Sequence, residues 1–148
     1  SYVNKIKKIA DVLSKHKLKI ALETNLDADQ ILDLIKLVNR ENVFVVYDTG
    51  NRLKKNNLQY EEIIKLGKKI IHIHLKDKDW KGKNVILGTG DVNFESVFMA
   101  LKSIKFKGKF VFETNRGMNP RKTMINNKNY ILNVINKINN YKNEFFKK

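Results

Sequence analysis

The sequence of 148 residues has no cysteine and a single proline. Without cysteine there is no disulfide framework and no thiolate metal site, and the reducing cytoplasm is the expected compartment. Seven glycines and one proline rule out a collagen-like or low-complexity chain. Long hydrophobic runs are missing too. Residues 43 to 47, ValPheValValTyr, form one of the longest, against the roughly 18 apolar residues a membrane span needs, so no membrane partner is expected. The opening stretch SerTyrValAsnLysIleLysLysIleAla interleaves lysine with apolar residues and does not read as a secretory leader. Arginine is scarce: 4 Arg stand against 26 Lys, within a formal net charge of +15. Arginine is the better group for bidentate phosphate and base contacts, and the lysines are spread along the chain instead of gathered in a block. Lys, 19 Asn and 16 Ile also share A- and T-rich codons, so genome composition accounts for the bias. No dedicated nucleic-acid partner is expected, only a solvated cationic surface.

What is present is a globular composition, 42% hydrophobic and 30% charged. Four β-rich runs recur, at 17 to 23, 43 to 48, 70 to 75 and 109 to 113, each followed by a helical pattern. After the first run, AspAlaAspGln at 27 to 30 reads as a capping box ahead of Ile31, Leu34, Ile35 and Val38. The second precedes Tyr60, Ile63 and Ile64, with Gly67 as a stop. The third leads through a long loop to Phe94, Val97, Phe98 and Leu101, capped by Asn93. Ile131, Val134, Ile135, Ile138 and Tyr141 mark a last helix, and Val3, Ile6, Ala10 and Leu13 an initial one. Alternating strands and helices predict a parallel sheet with right-handed crossovers. Four units are too few for a closed eight-stranded barrel, which takes roughly 250 residues. The chain therefore reads as one unit, residues 1–148, with upstream strands expected.

Each run ends in an ionisable residue: Glu23, Asp48, His74 and Glu113. In an α/β barrel the carboxyl ends of the strands form the active face, where such residues converge. Three carboxylates cannot crowd together in ionised form without a cation between them. Oxygen donors with one nitrogen suit Mn²⁺, Mg²⁺ or Co²⁺, with Zn²⁺ a further candidate. Lys76 shares the parity of His74 and is a candidate for binding a substrate oxygen or phosphate. Arg116 follows the last strand, where barrels often hold phosphate. His72 reads as an interior histidine.

AlaLeuGluThrAsn at 21 to 25, TyrAspThrGlyAsn at 47 to 51, HisIleHisLeuLysAsp at 72 to 77, LeuGlyThrGlyAspValAsnPhe at 87 to 94 and PheValPheGluThr at 110 to 114 carry a resemblance. In order and spacing they resemble the xylose-isomerase-like superfamily, in its sugar-phosphate isomerase/epimerase branch with the ketopentose-phosphate and ketohexose 3-epimerases. The resemblance implies the C-terminal half of a (β/α)8 TIM barrel, about four βα units, strands five to eight. It implies Glu23, Asp48, His74 and Glu113 as metal ligands, Glu23 and Glu113 as the acid/base pair, and Asn51 as a substrate contact. The implied activity is a metal-dependent isomerase or epimerase of a sugar or sugar phosphate acting through an enediolate. Two alternatives stand beside it. One is a truncated or non-catalytic half-barrel, pairing with a second copy or a missing N-terminal half; the other is an apurinic-endonuclease-like phosphodiesterase, disfavoured because that branch needs more histidine ligands.

Overall fold

A computed structural model describes residues 1–56 and 58–145, with side chains to residue 140. The elements run α1 (Tyr2–Lys15), β1 (Ile20–Leu22), α2 (Ala28–Val38), β2 (Val43–Asp48), α3 (Gln59–Leu66), a 3₁₀ turn (Gly67–Lys69), β3 (Ile70–Leu75), β4 (Asp77–Lys78), β5 (Asn84–Val85), α4 (Phe94–Ser103), β6 (Lys109–Phe112) and α5 (Pro120–Phe145). β1, β2, β3 and β6 form one parallel sheet in chain order. Among the described residues β1 and β6 are its edges.

The local signals act as the sequence predicts. Asp27 accepts from the Gln30 N–H at 2.9 Å while the Gln30 side chain accepts from the Asp27 N–H at 3.1 Å, closing the capping box. Asn93 caps α4, and Gly67, at φ 51°, ends α3. Three boundaries differ. The first strand begins at Ile20 and not at residue 17, because the N–H groups of residues 16 to 18 turn back to Leu13 and Ser14 carbonyls at the end of α1. The long loop after β3 folds into a small antiparallel hairpin, β4 with β5. α5 begins at Pro120, eleven residues before the apolar period. Its first buried positions are Thr123 and Asn127, polar residues that leave no apolar signal. The side chain of Tyr141 lies outside the described residues.

The core is the outer face of the sheet against the helices. Val43, Val45, Tyr47, Ile73 and Leu75 point outward onto Ile31, Ile35, Ile63, Leu66, Val97 and Leu101, all buried. Full burial of each such side chain contributes roughly 1.5–3 kcal/mol. Between β2 and β3 the register slips: Val45 pairs with Ile70, but Val46 pairs with His72. This extra residue turns Ile70 to the helix side while His72 and His74 share the inner face with Val46 and Asp48. Inner and outer faces thus differ. The inner one carries Ala21, Phe44, Val46 and His72, all partly exposed, and Val111 at 42% exposure.

Candidate metal centre

Asp48 is the last residue of β2, and Glu23 and Glu113 each follow their strand by one position. His74 is next to last in β3 and pairs directly with Asp48. His74 Nδ1 lies 2.7 Å from Glu113 Oε2, 3.5 Å from Glu23 Oε2 and 3.9 Å from Asp48 Oδ2. One ligand atom from each of the four residues fits within a mutual distance of 4.8 Å. Four strand ends, spread over ninety positions of sequence, meet at one point.

Two of the carboxylates, Asp48 and Glu113, are held from behind. Asp48, 2% exposed, accepts from the Asn51 N–H through Oδ1 at 2.7 Å, which leaves Oδ2 facing the centre. Lys76 Nζ lies 2.6 Å from Glu113 Oε1 and 2.9 Å from Asp48 Oδ2. Burial works against charge on Lys76, but hydrogen bonds and attraction from Asp48 and Glu113 outweigh it and raise its pKa. The hydrogen bond from Lys76, helped by its charge and by His74, holds the Glu113 carboxyl below its usual range. Beside them His72 packs edge-on against His74, ring centres 5.1 Å apart, and desolvation together with His74 and Lys109 lowers its pKa.

The donor set fits a divalent cation on the structure's own terms. Asp48 Oδ2 and His74 Nδ1 are buried side-chain atoms without a well-directed hydrogen bond; Lys76 Nζ and Glu113 Oε2 stand beside them as charged neighbours. Buried polar atoms are normally satisfied, so two orphans aimed at one another across a carboxylate cluster describe a place for an ion. Three carboxylates and one imidazole match a hard or borderline divalent metal.

The remaining candidates separate. Asn51 is exposed at the rim, its Oδ1 accepting from Lys78 Nζ at 2.8 Å. Arg116 lies exposed in the loop between β6 and α5. Sequence reasoning gave no role to Thr49, Gly50, Arg52 or Asp77. The Thr49 hydroxyl donates to the Lys76 carbonyl at 2.6 Å and accepts from its N–H at 2.9 Å. Arg52, buried over the Tyr47 ring, pairs with Glu62 at 3.2 Å and donates to the Leu26 carbonyl at 2.9 Å, tying the loop after β1 to the loop after β2. Asp77 accepts from the N–H groups of Gly88, Gly90 and Val92, at 2.9, 3.0 and 3.2 Å. A Cβ on Gly90 would strike that carboxylate, so the GlyThrGly segment is shaped to be pinned to the strand end. The AspThrGlyAsn and LysAsp strings are visible in the sequence, but their internal bonds exist only once β2 and β3 are side by side.

Comparison with known proteins places this arrangement. Residues 1–133 match the family model described as xylose isomerase-like TIM barrel. An L-ribulose 3-epimerase of Methylomonas sp. is 31% identical over 104 residues, 70% of this chain and 34% of that protein. A probable L-ribulose-5-phosphate 3-epimerase of Mycoplasma pneumoniae is 29% identical over 108 residues, 68% of this chain and 35% of that protein. The crystal structure of a D-allulose 3-epimerase from Methylomonas sp. in complex with D-allulose superposes with a TM-score of 0.65 at 28% identity, covering 76% of this chain and 40% of that one. The match to both curated relatives therefore spans about a third of their length. Among the described residues no helix is long and apolar enough to cross a membrane.

Proposed function

The chain belongs to the xylose isomerase-like TIM barrel family, and from that premise we propose that it is the C-terminal half, strands five to eight, of a metal-dependent ketose or ketose-phosphate isomerase/epimerase. The observation that carries this reading is the meeting of Glu23, Asp48, His74 and Glu113 with two orphaned buried donor atoms at the strand ends. A divalent ion held by these four, Mn²⁺, Mg²⁺ or Co²⁺ ahead of Zn²⁺, would polarise the sugar's carbonyl and hydroxyl oxygens and so acidify the neighbouring C–H. Glu113 and Glu23 are the acid/base pair. One carboxylate takes the proton from carbon to leave an enediolate, and the other returns a proton to the opposite face, which inverts that carbon. Asn51 and Lys76 contact sugar oxygens, and Arg116 takes the phosphate of a phosphorylated substrate. The cytoplasm is the proposed compartment.

The test follows deuterium from D₂O into L-ribulose or D-allulose in the presence of Mn²⁺. Wash-in is expected for the wild type and a loss of about 10²- to 10⁴-fold for Glu113→Gln, the usual weight of a general acid or base. Wash-in that survives Glu113→Gln would sink the assignment. A second reading has its own observation. The inner face is open, with Val111 42% exposed, which favours a non-catalytic half-barrel or one completed by a second copy or by an N-terminal half. A Mn²⁺-saturated wild type without wash-in selects that reading.

A further inference from the structure

Lys76 is built into the centre as firmly as the ligands are. It is 6% exposed in a chain whose other lysines are mostly solvated. Thr49 clasps its backbone from both sides. Its stem lies against Gly50 so closely that a methyl group at residue 50 would stand 2.6 Å from Lys76 Cγ and 3.0 Å from Cβ and Cδ. Its ammonium bridges Asp48 and Glu113, the two ligands that flank His74. The charges then add simply: three carboxylates and one ammonium leave −2, which a single divalent ion with a neutral imidazole ligand cancels.

We propose that Lys76 is the resident counter-ion of the centre, a positioning residue that neutralises and holds Asp48 and Glu113 when no metal is bound, and that yields part of this role to the ion when it arrives. The inference rests on the metal-centre reading and goes beyond it. Lys76 and the ion draw on the same two carboxylates and repel each other, so each weakens the other's hold. A clasp of this kind keeps the centre folded before loading and limits it to one divalent ion.

The experiment compares the full chain with Lys76→Met, which keeps the stem and removes the charge, by thermal melting and by Mn²⁺ titration followed by electron paramagnetic resonance. Without metal the variant is expected to melt well below the wild type; at saturating Mn²⁺ the gap closes. Its Mn²⁺ affinity rises by about 5- to 150-fold, the range of ordinary coupling between two bound species. A purely structural lysine would lower both melts equally, and that result, or a weaker Mn²⁺ affinity, overturns the proposal. If Lys76→Met is unfolded without metal, Lys76→Gln reads the same affinity. A wild type that binds no Mn²⁺ overturns the metal centre itself, and this inference with it. Binding in the wild type with an unchanged affinity in the variant overturns only the role of Lys76.

Discussion

The two ends of the same four strands differ in sign and in construction. At the carboxyl ends, three carboxylates, an imidazole and an ammonium interlock within a few ångströms, and the Asn51 N–H braces Asp48 among them. At the amino ends the charged residues are lysines. Lys19 and Lys69 lie 4.9 and 5.6 Å over the Phe44 ring, and Lys109 stands beside His72. Lys19 and Lys109 line an open trough with Lys68, Lys105 and Lys107, and lysine heads stay in water while their stems cover apolar surface. A chain with formal charge +15 thus concentrates its chemistry where its scarce acidic residues meet. Net charge describes the solvated end; partnered charge describes the site.

The sharpest way to break this contrast is to cut the bracing at the carboxyl end. Arg52→Met removes the buried cation from the Glu62 carboxylate, leaving it the Tyr47 hydroxyl and the half-exposed Lys54, and frees the Leu26 and Thr24 carbonyls. A loss of about 3–5 kcal/mol is expected in urea unfolding. A loss below about 1 kcal/mol would place Arg52 among surface pairs and erase the distinction.

A smaller effect appears on acidification of the metal-free chain. The Glu113 carboxyl is held below its ordinary value of 4.5, first by the Lys76 hydrogen bond. The folded state therefore binds that proton less readily than the unfolded one. The resulting stability is complete above 4.5 and is lost as the pH falls through the lower folded value. Melting temperature followed downward from pH 6 should fall in that window for the wild type, with a shallower fall for Glu113→Gln. Identical acid limbs would mean that Lys76 does not hold this carboxylate.

The smallest effect belongs to the other end. Lys19→Gln/Lys69→Gln/Lys109→Gln should change stability by no more than about 0.5 kcal/mol per site and leave the Mn²⁺-induced shift in melting temperature intact. A lost shift would show that the two ends are coupled through the inner face.

Much of this was written along the chain. Short apolar runs with Glu23, Asp48, His74 and Glu113 at or next to their ends, and helical periods between them, place four acidic or basic groups at the ends of parallel strands, since strand parity and crossover handedness leave few other arrangements. The capping box at Asp27 and Gln30 and the cap at Asn93 were local and therefore legible. The start of α5 was not, because Thr123 and Asn127 replace the apolar residues that would reveal a buried stripe. Nor was the hairpin after β3, which depends on Asp77 gathering three amides from residues 88 to 92.

Residue order alone settled which groups the molecule brings to the carboxyl ends of its strands, because a side chain's type and its strand position are local properties. Tertiary structure decided what those groups do to one another. The bulge before His72 sets which face the histidines take, Gly50 leaves room for one lysine stem, and Thr49 fixes the strand that carries it. Thr49 meets Lys76, twenty-seven residues away, only when the sheet forms, and the lysine so held lies 2.9 Å from Asp48 Oδ2 and 2.6 Å from Glu113 Oε1.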